Sequence, residues 1–223
     1  MCRYFNADDD LNPIAVKLLA QKVAKMHSKY IPIARNGTQK TLKIVFEDWF
    51  DSHRIESYRQ GESVLKSPEV FSHNDLNRRN ILVSNGDNDQ NFEVFIIDFD
   101  WSSYMYRGLD IGDYFINWCQ TGTDFGANNF PTDPQMYAFI DAYIAEMNAL
   151  SDNTYAKQGI NSRETLVKEA KIFALMGYIK ELEHCFYEVF VKGNMEIMAT
   201  AEQRFKVYKD LKTRILNEFK EFQ

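Results

Sequence analysis

Cysteine is scarce in this 223-residue sequence, and its placement excludes two kinds of stabilised domain. The three cysteines, Cys2, Cys119 and Cys185, lie far apart and are odd in number. They form no Cys-x-x-Cys pair and no Cys/His spacing of the kind that holds zinc. An odd set of distant cysteines also implies no disulfide framework. We therefore expect neither a zinc-stabilised nor a disulfide-stabilised fold.

Long apolar runs and a surplus of basic charge are also missing. No run approaches the roughly 20 apolar residues of a membrane-spanning helix, and Asp8, Asp9 and Asp10 stand where a signal peptide would be apolar. The formal net charge of -6 disfavours a nucleic-acid partner, because phosphate neutralisation needs a basic face. Arg78 and Arg79 are too short a cluster to override this. We expect a cytoplasmic protein with no membrane span and no nucleic-acid partner.

The ten glycines build no recognised phosphate-binding loop. The sequence contains no Gly-x-Gly-x-x-Gly and no P-loop, and no strand with a phosphate-pairing lysine precedes its first helices. The common glycine-rich ways of holding a nucleotide are therefore excluded for these residues.

What the sequence does contain is enough apolar material for one ordered domain. Hydrophobic residues make up 45%, and a chain of this length buries one good core. Apolar periodicity predicts helices over residues 13–29, 41–58, 110–119, 133–150, 162–192 and 195–219. Asn12 before Pro13 is a typical helix start, and Asn161 with Glu164 resembles a capping box. We predict a single domain over residues 1–223, of α+β class and mostly helical.

One small β-hairpin is predicted in the middle of the chain. Residues 81–83 and 92–97 are rich in β-branched and aromatic side chains, and a polar turn segment at 84–89 separates them. Pairing of these strands brings Asn80 and Asp98 together at the open end of the hairpin. Two oxygen-bearing side chains that are distant in sequence should therefore share one site.

The polar residues around this hairpin follow a pattern typical of phosphoryl transfer. His73 and Asp75 form His-x-Asp, and Asn80 follows five residues after Asp75. Kinase catalytic loops use this spacing, because they need a base for a hydroxyl and oxygen ligands for magnesium. Each feature is ambiguous alone. His-x-Asp is common, Asp98 could be only a strand end, and Asp110 could be only a helix cap.

Three longer blocks resemble the choline/ethanolamine kinase family. They are Phe-Ser-His-Asn-Asp-Leu at 71–76, Ile-Asp-Phe-Asp-Trp at 97–101, and Tyr-x-Tyr-Arg-Gly-Leu-Asp-Ile-Gly-Asp-Tyr-Phe at 104–115. The third block is the specific one, since aminoglycoside and protein kinases share His-x-Asp, Asn and Asp without it. The resemblance covers nearly the whole chain and implies the C-terminal lobe of a protein-kinase-like fold. Nothing upstream in the sequence matches the family's nucleotide-binding lobe, and residues 1–11 are expected to be a hinge remnant. Two alternatives stay open: the sequence is a fragment or truncated isoform, or the protein binds ATP without that lobe.

The resemblance also implies a reaction. Enzymes of this family use ATP and magnesium to phosphorylate the hydroxyl of choline or ethanolamine, a small amino alcohol, for phospholipid synthesis. By resemblance, Asp75 orients the hydroxyl and accepts its proton. Asn80 and Asp98 are implied to hold magnesium and, through it, the nucleotide.

Three further residues of the blocks are implied to support this catalytic group. Asp110 would hold the backbone of the catalytic loop, and His73 would have a structural part rather than carry a proton. Arg107 is expected to pair within the same group.

The amine-binding side of the family's site differs in this sequence. A glutamate that the family carries after the third block is Asn117 here, and a neutral amide cannot balance a cation. The family's cage tryptophans align near Glu181 and His184, so Glu181 is a candidate for the missing charge. We predict Asp100 and Trp101, with Asn117 and Glu181, as substrate-binding residues. Further aromatic candidates, each of which could equally pack the core, are Tyr104, Trp118, Phe125, Tyr178 and Tyr187.

Two kinds of function remain open from the sequence. One is the kinase, although the loss of a nucleotide lobe removes positioning and water exclusion, so activity of this chain alone should be severely reduced. The other is a non-catalytic lobe that acts as a binding or regulatory partner, in a dimer with itself or with a full-length relative. An aminoglycoside-type phosphotransferase is disfavoured by the block at 104–115.

Overall fold

The computed structural model describes residues 2–38, 67–84, 92–119 and 130–220. Three features predicted from sequence lie outside those ranges: the helix over 41–58, most of the turn at 84–89, and Phe125. In the part of the chain that is described, no helix combines the length and apolarity needed to cross a membrane.

Within the described ranges the chain forms five short strands in two antiparallel sheets. The strands are β1 (Cys2–Tyr4), β2 (Glu69–Ser72), β3 (Ile81–Ser84), β4 (Glu93–Ile96) and β5 (Ser103–Tyr106). β3 and β4 pair with Ile81 opposite Ile96, so the predicted hairpin is confirmed. β1 joins the other edge of β3. It could not be predicted, because three residues carry too little alternation of apolar and polar positions.

The second sheet pairs β2 with β5, which corrects the expectation of a single hairpin. Ser72 lies opposite Ser103, so the chain leaves β2 beside the start of β5. Four-residue strands of mixed polarity show no strong alternation, and this is why the sequence did not reveal them. The pairing brings the His73 loop next to the residues that follow Asp98.

Six α-helices supply most of the described residues. They are α1 (Ala7–Leu11), α2 (Pro13–His27), α3 (Arg107–Ile116), α4 (Asp133–Leu150), α5 (Arg163–Phe186) and α6 (Met198–Lys220). The predicted start of α2 is confirmed, since Oδ1 of Asn12 accepts a hydrogen bond from the Ile14 amide and Pro13 occupies the first turn. The predicted mostly helical α+β class is confirmed as well.

The start of α5 differs from the predicted capping box by one residue. Ser162 is the N-cap, and its Oγ accepts a hydrogen bond from the Thr165 amide. Asn161 instead accepts a hydrogen bond from Nη1 of Arg107 at 2.5 Å. Because the Asn161 side chain binds the buried guanidinium, it does not cap the helix, and a tertiary contact overrides the predicted capping box. After Phe186 the chain continues as a π-helical turn over Tyr187–Val191.

The close packing of α3 on α5 positions the site. Every residue of α3 is buried. A Cβ atom at Gly112 would lie 2.7 Å from the backbone nitrogen of Ala174, and one at Gly177 would lie 2.6 Å from Oδ1 of Asp113. Glycine at these two positions therefore lets the helices approach and leaves room for a buried carboxyl group between them.

Candidate active site

The loop from His73 to Asn80 joins β2 to β3 and carries the predicted catalytic residues. Asn74 has a φ of 64°, a left-handed conformation that asparagine adopts more readily than most residues. Its side-chain nitrogen donates to the Trp101 carbonyl at 2.9 Å and to Oγ of Ser103 at 2.8 Å. The start of the loop is thereby fastened to the segment that enters β5.

Asp110, in the first turn of α3, binds the backbone of the same loop. One carboxylate oxygen accepts from the His73 amide at 2.7 Å, and the other accepts from the Asn74 amide at 2.8 Å. Nε2 of His27 lies 3.0 Å from this fully buried carboxylate. Burial raises the pKa of Asp110, but the His27 contact and the two amide donors outweigh it, so the net pKa is lowered. The carboxylate therefore stays ionised and keeps its donors.

His27 is a supporting residue that the sequence did not reveal. It is the last residue of α2 and is buried, and its Nδ1 lies 2.9 Å from the Tyr143 hydroxyl of α4. The two ring nitrogens thus connect α4 to the carboxylate of Asp110. Residue 27 lies far from residue 110 in sequence, and no local pattern joins them.

Asp75 and Asn80 close the loop on itself. Nδ2 of Asn80 donates to Oδ2 of Asp75 at 2.8 Å and to the Asp75 carbonyl at 2.9 Å. The Asp75 side chain is 28% exposed, so a small molecule can reach it while one of its oxygens is held. The five-residue spacing found in the sequence therefore corresponds to a direct contact.

His73 ties this loop to the strand end that carries Asp98. Its Nε2 donates to the Ile97 carbonyl at 2.9 Å, and its ring lies edge-on to Phe99 at 5.1 Å between centroids. The Ile97 amide donates in turn to the Asn80 carbonyl at 2.9 Å. The backbones that carry Asn80 and Asp98 are therefore neighbours, as the hairpin predicted.

The residues present fit a magnesium ion. Asp98 is exposed and has a φ of 63°. It follows Ile97, whose amide donates to the Asn80 carbonyl, so a carboxylate and a side-chain amide come from adjacent backbones. Among the described residues no group of three His, Cys, Asp or Glu side chains forms a metal cluster. Magnesium needs no such cluster, because it keeps several waters and takes one or two protein oxygens together with substrate phosphates.

Lys180 of α5 is a second residue that the sequence did not reveal. Its Nζ donates to the Asn74 carbonyl at 2.8 Å and lies 3.6 Å from Oδ1 of Asp75. Burial lowers the pKa of this ammonium group. The surrounding carboxylates, Asp113 and Asp75 foremost, outweigh burial and raise its net pKa above the usual value. Lys180 therefore keeps its positive charge beside the loop from His73 to Asn80.

Asp113 lies on α3 beneath this lysine. Burial raises the pKa of its carboxyl group to about 8, Lys180 opposes the rise, and the carboxylates of Asp110, Glu181 and Asp75 add to it. Its Oδ1 has no hydrogen-bond partner in the described part of the chain. The group is therefore mainly protonated at neutral pH.

The four predicted substrate-binding residues lie in different surroundings. Asp100 is exposed and Trp101 is 72% exposed, next to the Asp98 turn. Asn117 is buried, and its Nδ2 donates to the Asp113 carbonyl at 2.8 Å. Glu181 on α5 lies 3.8 Å from Nη1 of Arg204. Their roles in substrate binding stay predictions.

The further aromatic candidates divide between core and surface. Tyr104 and Tyr178 are buried, and the Tyr104 hydroxyl bonds to the Ile31 backbone. Trp118 is partly buried against the core, whereas Tyr187 is exposed.

Arg107 corrects one expectation. It does not join the carboxylates of the loop, and instead forms a buried bidentate ion pair with Glu169 of α5, at 2.9 Å and 2.8 Å. Its Nη1 also donates to the Tyr155 hydroxyl at 2.7 Å. Arginine binds a carboxylate with two parallel hydrogen bonds, so this ion pair connects α3 to α5 and does not connect α3 to the loop that carries Asp75.

A loop held by a buried aspartate, beside a hairpin that carries the predicted magnesium ligands, is the arrangement of a kinase-like lobe, and comparison with known proteins agrees. The structure of an ethanolamine kinase from Plasmodium vivax superposes with a TM-score of 0.63 at 19% sequence identity, over 93% of this chain and 62% of that one. This likeness establishes the fold.

Sequence comparisons identify the family. A family model described as choline/ethanolamine kinase matches residues 52–209. Rat choline/ethanolamine kinase is 37% identical, over 75% of this chain and 48% of the relative. Mouse choline kinase alpha is 29% identical, over 88% of this chain and 50% of the relative. The chain belongs to the choline/ethanolamine kinase family, and it spans about half the length of these two relatives.

Proposed function

We propose that this protein transfers a phosphoryl group from ATP, with magnesium, to the hydroxyl of choline or ethanolamine in the cytoplasm. Family membership supports the reaction class, and the names of the relatives support the two acceptors. Both acceptors are small alcohols that carry a cationic amine.

The observation that carries the proposal is the state of the Asp75 carboxylate. It is accessible, and Asn80 holds one of its oxygens while Asp110 fixes the two preceding backbone amides. A base for phosphoryl transfer must be immobile and within reach of a hydroxyl, since positioning accounts for much of the rate. The restrained and partly exposed carboxylate of Asp75 supports this role.

In the proposed reaction, Asp75 orients the acceptor hydroxyl and takes its proton as the oxygen attacks the terminal phosphorus of ATP. The bond from that phosphorus to the bridging oxygen breaks, and ADP leaves. Asn80 and Asp98 would hold magnesium, which supplies positive charge to the phosphate oxygens when bound. His73 and Asp110 do not touch the substrate. They keep the Asp75 loop and the Asp98 turn in register through backbone contacts.

The test is transfer of labelled phosphate from Mg·ATP to choline and, separately, to ethanolamine, measured for the protein and its Asp75→Asn variant. Asparagine keeps the shape of the side chain but cannot accept the proton. We expect the variant to lose activity by at least about a hundredfold, the usual minimum contribution of a general base. Asp210→Asn, which changes an exposed carboxylate on α6, serves as the control.

Undiminished transfer by a folded Asp75→Asn variant would contradict the assignment of the base. Absence of transfer by the folded wild-type protein to either alcohol would contradict the proposed activity. The alternative, a lobe that binds a second copy or a longer relative, would then be tested by co-purification.

A further inference from the structure

We infer that Lys180 is a positioning residue for phosphoryl transfer: its ammonium group, delivered by α5, holds the Asp75 carboxylate and the loop that carries it. This inference rests on the proposed function and adds a residue that the kinase loop pattern does not contain.

The first argument is the way the two oxygens of Asp75 are shared. Oδ2 accepts from Nδ2 of Asn80 at 2.8 Å, within the loop itself. Oδ1 lies 3.6 Å from Nζ of Lys180, which comes from a helix more than a hundred residues away in sequence. The carboxylate is therefore restrained from two sides, and its rotation about the Cβ–Cγ bond is limited.

The second argument concerns the backbone before Asp75. The same Nζ donates to the Asn74 carbonyl at 2.8 Å. Asn74 is in the left-handed conformation, and its amide is held by Asp110. Lys180 of α5 thus binds the carbonyl of Asn74, and Asp110 of α3 binds its amide, so two different helices hold the backbone of this residue.

The third argument is that Arg78, a cationic residue of the loop, binds other groups and not Asp75. Arg78 is buried, and its guanidinium donates to the Asp10 carboxylate and to the Asn117 carbonyl. Lys180 brings positive charge to Asp75 from a rigid support, because it lies one helical turn after Gly177, where α5 meets α3 closely.

The experiment compares kcat and KM for Lys180→Met, Lys180→Arg and wild type. Methionine keeps the length of the side chain and removes its charge. Loss of a charged hydrogen bond and a nearby ion pair should lower kcat about tenfold to a hundredfold. KM for ATP and for the acceptor should change by less than about threefold, because ground-state binding is not removed.

Three further results separate positioning from a merely structural role. Lys180→Arg should recover most of kcat, since arginine also brings a donor and a charge. Lys180→Met combined with Asp75→Asn should show no further loss beyond Asp75→Asn, because the two residues act as a unit. Lys206→Met, which changes an exposed lysine of α6, should leave kcat unchanged.

A second readout does not depend on activity. Amide hydrogen exchange of residues 73–77, measured without substrates, should be faster in Lys180→Met than in Lys206→Met. If the wild-type protein phosphorylates neither alcohol, the proposed function fails, and exchange alone decides whether Lys180 holds the loop. Unchanged exchange, or unchanged kcat in an active Lys180→Met variant, would overturn the inference.

Discussion

Replacement of Asp113 by asparagine should change how stability depends on pH. The carboxyl group is buried, and its pKa in the folded protein is raised from 3.8 to about 8, first of all by burial. Between these two values the unfolded chain is ionised at this residue while the folded chain keeps the proton. Ionisation therefore favours the unfolded state, and stability from this group is lost as the pH rises from about 4 to about 8.

The magnitude follows from the size of the shift. Each pKa unit corresponds to about 1.4 kcal/mol, so the full effect of Asp113 is about 6 kcal/mol at the alkaline end. Asparagine mimics the protonated form and removes this dependence. The free energy of unfolding of Asp113→Asn minus that of wild type should therefore be about 3 kcal/mol larger at pH 7 than at pH 5.

Urea unfolding of both proteins at pH 5, 6 and 7 measures this difference. Asp210→Asn, on the exposed face of α6, controls for the loss of a carboxyl group as such. A difference between Asp113→Asn and wild type that stays constant from pH 5 to pH 7 would mean that Asp113 is ionised in the folded protein. The reasoning from burial would then be refuted.

Two stability predictions test the junction of α3 and α5. Gly112→Ala should cost about 1–3 kcal/mol, because the added Cβ would lie 2.7 Å from the backbone nitrogen of Ala174; Gly159→Ala, where nothing lies within 4 Å, is the control in thermal unfolding. Arg107→Met should cost about 3–5 kcal/mol, because Glu169 is left charged and buried. If Arg107→Met combined with Glu169→Gln recovers none of this loss, the ion pair is not its cause.

Local signals were sufficient where a contact is short in sequence. The cap at Asn12 and the hairpin of β3 and β4 were confirmed. The spacing of Asp75 and Asn80 proved to be a direct hydrogen bond. In each case the residues that interact lie within one turn or one hairpin, so their pattern is visible in the sequence.

Contacts between distant elements could not be predicted in the same way. His27 reaches Asp110 from α2, and Lys180 reaches Asp75 from α5. Neither pair has a spacing that a turn or a strand would impose. At Asn161 a local pattern predicted a helix cap that did not form, because this side chain binds the buried Arg107 instead. These features depend on how the helices pack, which periodicity alone does not determine.

For the residues that match the family's site, the structure gives their positions, and the resemblance gives the roles expected of them. The backbones at Asn80 and Asp98 are neighbours, as the predicted hairpin indicated. The residues predicted to bind the amine do not form one cluster of this kind: Asn117 is buried, and Glu181 lies near Arg204.

The measurement that tests the central claim most directly is a single-turnover experiment with saturating Mg·ATP and either choline or ethanolamine. It reports the chemical step for the wild-type protein and for Asp75→Asn without interference from product release. We predict formation of the phosphorylated alcohol by wild type and a rate at least about a hundredfold lower in the variant. Equal rates in both proteins, or no phosphorylated alcohol from folded wild-type protein, would contradict the account.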